Sequence, residues 1–180
     1  MSKVLLVVAH PDLSQSKANA ALVDAVRDLP HVTVHDLYAT YPDFQIDVDA
    51  EQALLAEHDV IVFQHPVFWY NTTPLFKLWQ DKVFTFGWAF TLDGSASQLA
   101  GKKAVVAVTA GVPADHYTPE GANKATLETL LNSWEATLRL CQLDFQQPMV
   151  KVYGTAFGLS DEDLNTAAKQ YNELLASFAA

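Results

Sequence analysis

The 180-residue chain is half hydrophobic and 18% charged, which suits one compact domain spanning 1–180 and excludes an extended coiled coil or a disordered tail. With 21 acidic against 11 basic residues the formal charge is -10, and the Lys and Arg residues are scattered, so neither nucleic acid nor an anionic bilayer is expected to bind it directly. A single cysteine, Cys141, excludes an intrachain disulfide and a thiolate metal cluster and fits a cytoplasmic setting.

Val4-Leu5-Leu6-Val7-Val8 is a continuous apolar run closed by His10-Pro11-Asp12, the pattern of a strand buried on both faces. The run ends at Ala9, too short for a secretion-signal core or a membrane span. Ala18, Ala21, Leu22, Ala25, Val26 and Leu29 then recur at helical spacing, with Ser14 or Ser16 as N-cap and Pro30 as stop. Val32 to His35 reads as a short strand, Ala50 to Glu57 as a short helix and Asp59 to Phe63 as another fully buried strand. Pro74 opens a helix through Leu75, Leu78, Trp79 and Val83, and Ala104 to Val108 is the next apolar strand. Leu127, Leu130, Leu131, Trp134 and Leu138 predict one face of a long helix. A strand around Met149 to Tyr153 and a helix carrying Leu164, Ala168, Tyr171, Leu175 and Phe178 complete the chain. Five strands alternating with five helices predict an α/β fold of the flavodoxin-like type, a parallel sheet in the order 2-1-3-4-5 with helices on both faces.

In such a sheet, ligands lie outside the carboxyl ends of the strands, here between strands one and three. Three segments leave those ends: His10 to Asn19, His65 to Thr73 and Thr109 to Tyr117. The first is a polar loop entering a helix, whose free amides suit a phosphate, with Ser16 and Asn19 either donating to it or simply capping the helix. It is neither a Walker loop nor a Gly-x-Gly-x-x-Gly turn. The second places Phe68-Trp69-Tyr70 in a turn, which suits a flat heteroaromatic ligand or, alternatively, packing under a loop or at a dimer interface. The third combines Gly111 with Asp115, His116 and Tyr117, a set able to move protons but without a nucleophile for hydrolysis. No His-Glu-x-x-His occurs, and His31 and His35, expected on one strand face, are too far apart to share a metal, so none is expected.

Ala9-His10-Pro11, Ser16-Lys17-Ala18-Asn19 and above all Gln64 to Tyr70 followed by Pro74 to Phe84 resemble the NAD(P)H quinone dehydrogenase family. Within it the chain is similar to the ancillary flavoproteins of glutathione-regulated potassium-efflux systems, which share Leu37-Tyr38, Tyr41-Pro42-Asp43-Phe44 and Gly87-Trp88-Ala89. The resemblance implies a tightly held FMN, or FAD, which takes a hydride from NADH or NADPH and passes two electrons to a quinone in ping-pong turnover. It implies as an alternative a flavin-loaded regulatory subunit docked on a membrane potassium-efflux transporter. By motif match, His10, Ser16, Lys17, Ala18 and Asn19 would hold the phosphate and ribityl end, and Val67, Phe68, Trp69 and Tyr70 the ring edge and face. Thr109, Ala110, Gly111 and Val112, where the family has Thr-Thr-Gly-Gly, would hold the pyrimidine side through backbone amides. Tyr117 matches the family tyrosine that stabilises charge on the reduced ring, Asn123 stands where the family has histidine, and His116 is expected to point elsewhere. A homodimer is implied, with Trp88, Phe90 and the Tyr41 to Phe44 loop as contacts.

Overall fold

The computed structural model describes residues 1–179. In chain order the elements are β1 (Val4–Val8), α1 (Lys17–Val26), β2 (Val32–Asp36), α2 (Leu37–Thr40), α3 (Val48–Ala56), β3 (Val60–Pro66), α4 (Pro74–Val83) and β4 (Lys103–Thr109). They continue with α5 (Leu127–Leu130), α6 (Asn132–Leu140), β5 (Asp144–Phe145), β6 (Val150–Val152) and α7 (Asp161–Ser177). All strand pairings are parallel in the order β2-β1-β3-β4-β5, with β6 also pairing β4. Among the described residues, no helix is long and apolar enough to cross a membrane.

Because side chains alternate along a strand, the buried sheet divides its residues between two helix layers. Leu5, Val7, Ile61 and Phe63 pack with α3, α4 and α6, whereas Val4, Leu6 and Val8 pack with α1 and α7. The first layer is an aromatic slab: Phe63 stacks on Trp134 with ring centroids 5.0 Å apart and also contacts Phe76, Trp79 and Phe84. Each fully buried ring stabilises the fold by about 1.5–3 kcal/mol relative to leaving it in water.

Two expected elements differ in detail. The strand expected around Met149 to Tyr153 is the short β6, and an unexpected two-residue strand, β5, precedes it; Pro148 between them cannot donate to a ladder. Gln146 N–H still bonds Ala104 O at 2.8 Å, and pairing resumes only at Val150. The long helix from Leu127 is broken at Leu131, whose backbone (φ -100, ψ 17) leaves the α region. Leu127, Leu131, Trp134 and Leu138 are all buried nonetheless, so the periodicity correctly marks the inward face although the hydrogen-bond ladder is interrupted.

A buried carboxylate ties the α2–α3 region to the slab. Glu51 accepts from His35 Nε2 at 2.8 Å, from the Tyr41 hydroxyl at 2.6 Å and from Trp79 Nε1 at 2.7 Å. Tyr41 is therefore a core residue, while Phe44 beside it is exposed. His31, just before β2, bonds Leu175 O of α7 at 2.9 Å, so the two histidines serve opposite layers and do not share a face.

Candidate functional site

Strands β1, β3 and β4 end side by side: Val8 pairs with Gln64, Pro66 with Thr109, and Val67 N–H donates to Thr109 O at 2.8 Å. The segments leaving them therefore meet in one crevice with two parts, which share Val67 and Gly111. The first part, of about 330 Å³, is bounded by His10, by Ser16, Lys17, Ala18 and Asn19, by Val67 and Phe68, and by Thr109 and Gly111. The second, of about 250 Å³, is bounded by Val67, Trp69, Tyr70, Gly111, Val112, His116, Tyr117 and Asn123.

Of the residues proposed from sequence, Ala110 and Asp115 border neither part, and Ala110 is the one expected to hold the flavin. Its side chain is fully buried, its N–H donates to Val152 O at 2.8 Å and its carbonyl accepts from Thr155 N at 3.0 Å, so the sheet edge uses both its polar groups. His116, expected to point elsewhere, lines the second part, and Asn123 lies beside it. Sequence reasoning also missed Thr155 and Ala156 of the turn after β6. The strand-end rule, applied to the last strand as well, would have found them.

At the α1 end the lining is built from neutral donors. The N–H groups of Lys17 and Ala18, in the first helical turn, make no main-chain bond among the described residues and lie at the positive end of the helix dipole. Asn19 is 1% exposed, and its Nδ2 donates to Ser16 Oγ at 3.1 Å and to Thr109 Oγ1 at 2.9 Å. Both hydroxyl oxygens thereby act as acceptors, which leaves their own protons for the crevice. His10 Nδ1 accepts the Asp12 N–H at 3.2 Å, placing its ring proton on Nε2, and burial holds its pKa below the ordinary value. Lys17 extends its ammonium to Asp161 at the start of α7, away from the helix-start amides. Among the described residues no carboxylate lines this part, so it suits an anion with only acceptor atoms.

The other end is strained and open. Phe68 and Asn71 exchange both main-chain hydrogen bonds (2.9 and 3.0 Å) around Trp69 at φ 49 and Tyr70 at φ 61. Two central residues with positive φ make the turn that Asn-Gly normally fills, and each bulky side chain there costs about 1–2 kcal/mol. Trp69 is 94% exposed. The Tyr70 hydroxyl donates to Asn123 Oδ1 at 2.8 Å, so Asn123 anchors this turn to the loop after β4. That loop is wound tightly: Asn123 N–H bonds His116 O at 3.0 Å, and a Cβ on Gly121 would lie 2.2 Å from Asp115 O. Tyr117 packs against Tyr153, and burial, then Tyr70 and Tyr153, raise its phenol pKa. Beneath both parts His65 is wholly buried, bonded to Pro66 O at 2.8 Å and to Trp134 Nε1 at 3.0 Å, with burial lowering its pKa to about 4.

The model of a family described as flavodoxin-like fold matches residues 2–175. The chain belongs to this flavodoxin-like family. The protein is 44% identical over 175 residues to glutathione-regulated potassium-efflux system ancillary protein KefG of Pectobacterium carotovorum, with 97% of this chain and 93% of that one covered. General stress protein 14 of Treponema denticola, solved in complex with FMN, matches this flavodoxin-like chain with a TM-score of 0.88 at 37% identity, covering 97% and 98% of the two chains. An NADPH-quinone reductase from P. pentosaceus matches with a TM-score of 0.84 at 25% identity, covering 96% of each.

Proposed function

We propose that this protein holds FMN in the two-part crevice and works in the cytoplasm as an NAD(P)H:quinone oxidoreductase, passing electrons in pairs from NADPH or NADH to a quinone in ping-pong turnover. The observation that carries this reading is a cleft with convergent donors at the start of α1, joined across Gly111 to an aromatic cleft. A phosphate monoester attached to a flat ring requires both. A Cβ at Gly111 would meet only Ala156 Cβ, at an ordinary 3.5 Å, so the fold itself leaves room for a side chain where none is present. FMN, rather than FAD, is favoured by the FMN complex of general stress protein 14.

The helix-start amides of Lys17 and Ala18, the Ser16 and Thr109 hydroxyls and His10 Nε2 would hold the phosphate and ribityl end. The N–H groups of Trp69, Tyr70, Gly111 and Val112, without main-chain partners among the described residues, would face the ring edge. The flavin, when bound, supplies two-electron transfer between a nicotinamide and a quinone. The backbone donors of Gly111 and Val112 would favour negative charge on a ring held beside them. Tyr117 keeps its proton at neutral pH and its hydroxyl, unbonded among the described residues, serves as a neutral donor to that charge or to the acceptor oxygen. His116 is the imidazole in the same cleft and supplies the proton that a reduced quinone still needs. A homodimer covering exposed Trp69, Phe86 and Leu92 would complete the acceptor side, with Trp88 and Phe90 at its margin.

The resemblance to KefG along nearly the whole chain favours a second reading, a flavin-loaded ancillary subunit seated on a membrane potassium-efflux transporter with little turnover of its own. One anaerobic spectroscopic experiment separates the two. Bleaching of the FMN-loaded protein by NADPH or NADH, and return of colour with quinone at about 10 per second or faster, supports the enzyme. Much slower return, with co-purification of the transporter, supports the subunit. Failure to take up any flavin contradicts both.

A further inference from the structure

A line of buried side chains runs from α7 along one face of the sheet to the phosphate end of the crevice, and every link has a defined direction. Tyr171, on α7, donates its hydroxyl proton to Gln64 Oε1 at 3.0 Å. Gln64, fully buried near the end of β3, donates from Nε2 to the Asn19 main-chain carbonyl at 3.1 Å and to Asn19 Oδ1 at 3.3 Å. Asn19 in turn donates from Nδ2 to the hydroxyls of Ser16 and Thr109. The anchoring link is the Asn19 carbonyl. A main-chain carbonyl can only accept, so it fixes which end of the Gln64 amide faces α1. That choice puts Gln64 Oε1 toward Tyr171, places Oδ1 of Asn19 toward Gln64 and turns Nδ2 toward the two hydroxyls.

We propose that Gln64, held by Tyr171, is the positioning residue of the phosphate site: by fixing the direction of the Asn19 amide it turns the Ser16 and Thr109 hydroxyl protons outward to meet a phosphate monoester. This rests on the flavin reading and sharpens it, since the relay acts on the phosphate and leaves the ring untouched. Reversed, the same hydrogen bonds would point two oxygen lone pairs at the anion. Burial raises the Tyr171 pKa far beyond the ordinary phenol value, so this link remains a donor at any physiological pH. A relay serving only to satisfy core polar groups would need no exit into a cleft. This one ends on two hydroxyls that line the crevice from different elements, Ser16 at the cap of α1 and Thr109 at the end of β4.

The test compares FMN with riboflavin, which has the same ring and ribityl chain and lacks the phosphate. Dissociation constants are measured by flavin fluorescence quenching with the full-length, cofactor-free protein. Gln64→Met, close to Gln in length and without an amide, is expected to weaken FMN about tenfold, the scale of one lost hydrogen bond to a charged group, and riboflavin by less than about twofold. Tyr171→Phe, which leaves the carbonyl anchor, is expected to give about a threefold loss with the same selectivity. Should Gln64→Met fail to fold, Thr109→Val at the far end is expected to lower the FMN to riboflavin preference about tenfold, with Thr109→Ser retaining the native ratio. Equal weakening of both ligands, or none, in variants that bind overturns the relay. If the native protein binds neither FMN nor riboflavin, the flavin reading itself has failed.

Discussion

At the α1 end of the crevice Asn19 is 1% exposed and its amide protons are already committed to Ser16 and Thr109, whereas at the far end Trp69 is 94% exposed, at positive φ, and the neighbouring Tyr117 hydroxyl is unbonded. Under the proposed flavin reading, the contrast follows from what each end would hold. A resident group is bound best by donors fixed in advance, because little ordering entropy is then lost on binding. Substrates that come and go need an open rim, and backbone strain persists where a turn is selected for the side chains it presents.

The largest effect is expected where the two ends join. Gly111→Leu would place a side chain in the space shared by both parts, and FMN affinity is expected to fall at least a hundredfold, about 3 kcal/mol, as measured by equilibrium dialysis. The thermal midpoint without flavin should shift little, since a Cβ there meets only Ala156. Native binding by this variant would show that the two parts do not hold one ligand.

The closed end also predicts a pH dependence. His65 has a folded pKa of about 4 against an ordinary 6.5, so between these values the unfolded chain binds a proton that the folded protein refuses. Its contribution is fully present above pH 6.5 and is lost as pH falls toward 4, by roughly 3 kcal/mol. Urea denaturation across that window should show His65→Phe losing less stability than the native protein, and parallel curves would place His65 outside the rigid region.

At the open end, replacing Trp69-Tyr70 by Asn-Gly would relieve the strain and is expected to stabilise the fold by about 2 kcal/mol while raising the KM for quinone. A destabilised variant would mean that the turn is not strained. Tyr117→Phe and His116→Gln, each removing one donor near the acceptor, are expected to slow quinone-dependent reoxidation about tenfold in stopped flow, with FMN affinity unchanged. Unchanged rates would remove both from the chemistry. Smallest of all is Lys17→Met. Its ammonium pairs with exposed Asp161, where water and salt screen the contact, so FMN binding should weaken by less than about fivefold.

The strand order and the location of the crevice were legible in the sequence because buried parallel strands read as apolar runs, and topology alone then dictates which ends meet. Other features depend on three-dimensional detail that such patterns do not carry. The break at Leu131 leaves the apolar spacing intact, so periodicity could not reveal it. The role of Ala110 was within reach: it follows Thr109 and precedes Gly111, and strand alternation turns it away from the crevice that they line. His116 becomes a lining residue through the short helical turn Ala114–His116 and the close packing of Gly121, neither of which has a periodic signature. The sequence could place Asn19 at the strand-end crevice, but the direction of its amide is set by Gln64, 45 residues away.

A crystal structure of the protein grown with FMN would test the joined crevice most directly. The phosphate should lie against the amides of Lys17 and Ala18 and the hydroxyls of Ser16 and Thr109, with the ring crossing Gly111 toward Val67, Trp69 and Tyr70. A flavin bound with its phosphate elsewhere, or a crevice without flavin at saturating FMN, would contradict the division of labour between the two ends.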